Sequence, residues 1–246
     1  MASPGKARAL IAVFLFAGLF SGVFMYFTRG RPAGTEPGAL TGAASLPSGT
    51  RVVFFGDSIT AAGVWPGGYV RLVSEALGGE SQVEVIGSGV EGDDVRDLQE
   101  RLSRDVLSLA PTVVVVYVGV NDVASVSEGA EEAGLAVYRS GIVDLIDRIQ
   151  RAGAEALVCT PGLLQERPYD GSRENLLLDR YAQVVREVAA ERNAGVCDLR
   201  RAFTEYLSMN NPEGRSRGVL TLDGVHLNSA GNRFVARQML QALGAV

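Results

Sequence analysis

A single histidine, His226, lies in the stretch Asp223-Gly224-Val225-His226-Leu227-Asn228. Imidazole titrates near neutral pH, which makes it the usual general base for nucleophilic hydrolysis. In this chain only His226 can fill that role. A carboxylate, Asp223, stands three positions before it, and Ser58 lies far back in Gly56-Asp57-Ser58-Ile59-Thr60. A serine hydroxyl is a poor nucleophile until a base removes its proton, and a base works best when a third group orients it. Asp-x-x-His on its own also occurs at helix starts, where local hydrogen bonds satisfy the ring. The rest of the chain decides between the two readings.

Four blocks recur in order: Gly56 to Thr60, Gly89-Val90-Glu91-Gly92-Asp93, Gly119-Val120-Asn121-Asp122 and Asp223 to His226. The segments between them alternate. Short β-rich runs predict strands over 51–55, 83–86, 112–118, 156–159 and 195–199. Apolar residues at helical spacing predict helices over 69–77, from Asp93 or Asp94 to Leu107, over 135–152, over 173–192 and from Asn228 to about Leu243. The run Thr112 to Val118 is apolar throughout, as expected of a central parallel strand covered on both faces. Alternation of this kind implies a parallel sheet between two helical layers. Ligands of such sheets bind beyond the carboxyl ends of the strands, where the strand order reverses. Ser58, Gly92 and Asn121 each follow a predicted strand, and His226 is placed after the last one, so all four are expected on one edge.

In these four blocks the chain resembles the SGNH, or GDSL-type, hydrolases, from about Arg51 to the C-terminus. The resemblance implies an α/β fold: a three-layer α/β/α sandwich around a five-stranded parallel sheet, flavodoxin-like in order. It implies a carboxylic ester hydrolase that forms an acyl-enzyme on Ser58. His226 would serve as base and then acid, and Asp223 as the group that fixes its tautomer. The oxyanion would be held by the Ser58 and Gly92 backbone N–H groups and the Asn121 side-chain amide. Glycine at 92 leaves room for the substrate oxygen, and asparagine at 121 donates without adding charge. Asp57 and Asp122 adjoin these residues and are expected to accept hydrogen bonds from loop N–H groups rather than to bind a metal. No cofactor is implied. Substrates implied are O-acetylated carbohydrates, short acyl esters or lysophospholipids. Two alternatives use the same residues or fold: an acyl- or acetyltransferase with the same triad, and a non-catalytic module binding carbohydrate or lipid.

Composition narrows the rest. A net charge of -5 argues against a nucleic-acid partner, which would call for a basic face. Lys6 is the only lysine, which removes Schiff-base and P-loop chemistry from the main domain. Ala9 to Thr28 carries no charge and has the length of a bilayer-spanning helix. It reads as an uncleaved signal anchor behind a short tail (1–8), holding the domain outside the cytoplasm; a cleaved signal and a secreted domain are the second choice. Residues 29–49, rich in Gly, Pro, Ala and Thr, read as a flexible linker to the hydrolase domain at 50–246. Cys159 and Cys197 close apolar runs and read as buried thiols in strands, with pairing as the alternative. Trp65 reads as a packing residue, with a place in a substrate pocket as the alternative. Residues 208–218 read as an exposed loop.

Overall fold

The structure is a computed structural model that describes residues 46–78 and 82–245. Five parallel strands form the sheet: β1 (Arg51–Gly56), β2 (Glu84–Gly89), β3 (Val113–Tyr117), β4 (Glu155–Cys159) and β5 (Gly195–Cys197), in the order β2-β1-β3-β4-β5. The order reverses beside β1, so the switch point opens at the carboxyl ends of β1 and β3. Among the described residues, eight α-helices accompany the sheet: α1 (Ser58–Gly63), α2 (Tyr69–Leu77), α3 (Val95–Asp105), α4 (Val120–Ser125), α5 (Glu131–Arg151), α6 (Arg173–Glu191), α7 (Leu199–Asn210) and α8 (Ser229–Ala242).

Alternation along each strand sends its side chains into two cores. Val52, Phe54, Val113, Val115 and Leu157 face α2, α7 and α8. Val53, Phe55, Val114, Val116 and Val158 face α3, α5 and α6. This is the three-layer arrangement expected. Every residue of β3 is buried, as its unbroken apolar run requires. Cys159 and Cys197 are buried free thiols, paired in register on β4 and β5.

Three helices were not expected: α1, α4 and α7. Strand five stops at Cys197 instead of continuing to Leu199. Asp198 ends it, because its side chain accepts from Arg201 N–H as the N-cap of α7 and also pairs with Arg186. Leu199, Phe203 and Leu207 then face the core from that helix. His226 therefore does not follow the last strand directly: α7 and a long loop intervene. Trp65 is 70% exposed, in the turn between α1 and α2, and is not a packing residue. The expected tail (1–8), membrane helix (9–28) and most of the linker (29–49) lie outside the described residues. Among the described residues, no helix is long and apolar enough to cross a membrane.

Candidate active site

The turn around Ser58 is shaped by its neighbours. Asp57 caps α1, its Oδ1 accepting from Ile59 N–H at 2.9 Å, so Ser58 becomes the first residue of the helix. The helix lies directly on β2: a Cβ on Gly89 would meet Ala61 N at 2.1 Å. That contact fixes α1, and with it Ser58, over the end of the edge strand. Asp57 is buried, and desolvation pushes its pKa up to about 7 against the pull of the Ile59 N–H.

Ser58 Oγ lies 3.0 Å from His226 Nε2, across 168 residues of chain. On the other side of the ring, Nδ1 lies 2.7 Å from Asp223 Oδ2. Asp223 Oδ1 accepts from the backbone N–H of Val225 at 2.9 Å and of His226 at 2.8 Å. Burial pushes the Asp223 carboxyl up, but the bonds from the His226 ring and these two N–H groups outweigh it and hold it below its ordinary value. An ionised carboxylate can only accept, so Nδ1 carries the proton and Nε2 presents its lone pair to Ser58. The three side chains form one hydrogen-bonded chain suited to moving a proton from serine to imidazole. The His226 and Asp223 side chains are 43% and 49% exposed, so the chain opens to solvent.

The second and third blocks meet beside it. Val90 N–H bonds to Gly56 O at 3.1 Å, joining the loop after β2 to the end of β1. Gly92 has φ +80°, and nothing lies within 4 Å of a Cβ built there, so backbone conformation rather than space favours glycine. Asn121 Nδ2 donates to Asp93 O at 2.9 Å, which leaves its second amide hydrogen free to donate elsewhere. Asp122 Oδ1 accepts from Val95 N–H at 3.1 Å, while Oδ2 is buried without a partner among the described residues. Burial drives the Asp122 pKa up to about 7. Asn121 and Asp122 thus clamp the loop 93–95 from α4, the helix that follows β3. Among the described residues, the backbone N–H groups of Ser58 and Gly92 are taken by no acceptor. No group of three or more metal-ligating side chains occurs among the described residues.

Residues 54–234 match the model of the GDSL-like lipase/acylhydrolase family. The chain belongs to that family. It is a carboxylic ester hydrolase. An acetylxylan esterase of Geobacillus stearothermophilus is 28% identical over 81% of this chain and 96% of its own length. The isoamyl acetate-hydrolyzing esterase 1 homolog of Rattus norvegicus is 25% identical, covering 75% of this chain and 78% of its own. The crystal structure of an acetyl xylan esterase superposes with a TM-score of 0.71 at 38% identity, covering 78% of this chain and 99% of that one.

This GDSL-like hydrolase also uses a residue that the motifs do not contain. Arg101, buried on α3, donates to Asp93 Oδ2 at 2.6 Å, to Gly56 O at 2.8 Å and to Ser88 Oγ at 3.0 Å. Its guanidinium stacks over Phe55, 4.4 Å from the ring centroid. One cation therefore ties the ends of β1 and β2 to the Gly92 loop. A signal was present in the sequence: Arg101 falls on the buried face of α3 with Leu98 and Leu102, where an unpaired arginine would be costly.

Proposed function

We propose that this chain is a membrane-tethered serine esterase that removes acetyl and other short acyl groups from carbohydrate hydroxyls. The observation that carries the reading is the continuous chain from Ser58 Oγ through the His226 ring to Asp223. Ser58 Oγ attacks the acyl carbon as its proton passes to His226 Nε2, and Asp223 stabilises the imidazolium that forms. The Ser58 and Gly92 N–H groups and the Asn121 amide face the oxyanion. His226 then returns the proton to the leaving alcohol oxygen, which departs as the C–O bond breaks. Water, deprotonated by His226, attacks the acyl carbon; the bond to Ser58 Oγ breaks, His226 returns the proton to Ser58 Oγ, and the carboxylate leaves. Asp57 and Asp122 support this site by fixing the Ser58 turn and the 93–95 loop.

Two observations support the substrate class. The half-exposed His226 and Asp223 leave room for a bulky alcohol such as a glycan. Two relatives are named for acetate esters, acetylxylan and isoamyl acetate. The tether rests on the uncharged run Ala9 to Thr28, which would hold the domain on the outer side of a membrane. The test is acetate release by the full-length chain from acetylated xylo-oligosaccharides, beside a lysophospholipid and Ser58→Ala. Acetate release by the wild type alone supports the reading. A preference for the lysophospholipid, or turnover by Ser58→Ala, contradicts it.

A further inference from the structure

Asp223 and His226 belong to no strand of the sheet. The loop that carries them, 211–228, is held to itself by one antiparallel bridge between Thr221 and Leu227 and by bonds such as Leu222 N–H to His226 O at 2.8 Å. Under it lies Glu166, in the loop between β4 and α6 and fully buried. Its Oε2 accepts from Val219 N–H at 2.7 Å. Its Oε1 accepts from Leu220 N–H at 2.6 Å, Thr221 N–H at 2.5 Å and Thr221 Oγ1 at 2.7 Å. Three successive N–H groups thus wrap one carboxylate, the geometry of a backbone anion nest. No cation pairs with Glu166 among the described residues. Its two oxygens are satisfied by donors of the loop it holds.

The Glu166 backbone is tied to the same loop. Its N–H donates to Ser216 O at 2.9 Å, and its O accepts from Asn211 Nδ2 at 2.7 Å. Gln165, just before it, is held at φ +148°, which residues other than glycine seldom adopt. The grip passes onward through Thr221. Having donated its hydroxyl hydrogen to Glu166, Thr221 Oγ1 accepts from Gly224 N–H at 3.1 Å, between Asp223 and Val225. A path of three hydrogen-bonded groups, the Glu166 carboxylate, the Thr221 hydroxyl and the Gly224 N–H, therefore runs from a buried carboxylate to the segment that sets the Asp223–His226 geometry.

We propose that Glu166 is a positioning residue for the acid–base pair: its carboxylate does for the histidine loop what a β-ladder does for the loops of Ser58, Gly92 and Asn121. The inference rests on the triad reading above. Glutamine at 166 keeps the size but turns one acceptor oxygen into a donor facing a backbone N–H, so the nest cannot close. Glu166→Gln should lower kcat by about 10²-fold, the cost of a misplacement of about 1 Å. KM should stay unchanged, because the loop's set matters in the transition state. Thr221→Val removes the relay hydroxyl and should lower kcat about tenfold, one hydrogen bond's share. Thr221→Ser should restore it.

The experiment measures kcat and KM of the full-length chain on p-nitrophenyl acetate for the wild type, these three variants and Ser58→Ala. A nitrogen-15 histidine label, with only one histidine in the chain, reports the His226 Nδ1–H bonded to Asp223. Loss of kcat in Glu166→Gln and Thr221→Val, rescue by Thr221→Ser and a weakened Nδ1–H signal carry the proposal. Should Glu166→Gln fail to fold, the two Thr221 variants decide alone. Wild-type kcat and an intact Nδ1–H signal in both folded variants, with only a lower Tm, would make Glu166 a structural residue and overturn the proposal. Wild-type kcat in Ser58→Ala would overturn the triad reading, and this inference with it.

Discussion

The two halves of the site are held in different ways. Ser58, Gly92 and Asn121 follow β1, β2 and β3, adjacent strands whose ladders fix the chain to within a few residues of each group. Arg101, Asp57 and Asp122 tighten those loops further, each bonding to backbone that is already constrained. Asp223 and His226 lie on a loop without a ladder, reached through α7, and depend on side-chain anchors beneath it. A sheet edge thus positions the proposed nucleophile through its ladders, whereas the proposed base, on a distant loop, rests on a buried acceptor. Damage to the first half should appear mainly as lost stability or lost oxyanion binding. Damage to the second should appear as lost proton transfer in a protein that still folds.

The largest expected effect ignores that division. Ser58→Ala and His226→Ala should each lower kcat by about 10⁴- to 10⁶-fold, because nucleophile and base act as one unit. The double variant should be no worse than the poorer single one in steady-state assays. Additive losses would separate the two residues and break the account of one site built from two halves.

In the sheet-borne half, Asn121→Ala should cost about 10²- to 10³-fold in kcat with little change in KM. A pure KM effect would make Asn121 a substrate binder. Arg101→Leu probes the same half through stability. It leaves Asp93 without its cation in a buried setting, which costs about 3–5 kcal/mol. Urea unfolding of the variant measures this. A change under about 1 kcal/mol would mean that the strand ladders alone hold the Gly92 loop.

The smallest effect is in pH. Asp57 and Asp122 have pKa values raised from 3.8 to about 7 in the folded chain. The folded state therefore binds more protons than the unfolded state between about pH 4 and pH 7. Their contribution to stability is fully present below pH 4 and is lost as pH rises through 7. Asp122→Asn is neutral at every pH, and its amide oxygen can still accept from Val95 N–H. The wild-type Tm should fall between pH 5 and pH 8, and the variant should lose about half of that fall. An identical fall in both would show that Asp122 does not titrate in this range.

How much of this was legible in the sequence follows the same division. The strands of the first half announce themselves: Val113 to Tyr117 is apolar without a break, and Asp94 with Asp97 forms the capping box that starts α3. Each glycine-bearing block falls at the end of a strand, so the edge on which Ser58, Gly92 and Asn121 gather could be read before any coordinates. Helices α1 and α4 could not, because a run of six residues is too short to show a helical period. Helix α7 had a period, in Leu199, Phe203 and Leu207, but it begins at the end of a strand run that masks it. Glu166 gave no signal. Three of the four donors to its carboxylate are backbone N–H groups 53 to 55 residues away, and a backbone donor leaves no mark on residue type.

Intact mass after exposure of the full-length chain to a fluorophosphonate, beside Ser58→Ala and His226→Ala, tests the claim of an activated serine most directly. The account predicts one adduct on the wild type, none on Ser58→Ala and a greatly slowed adduct on His226→Ala. An adduct on Ser58→Ala at the wild-type rate, or none on folded wild type, would contradict it.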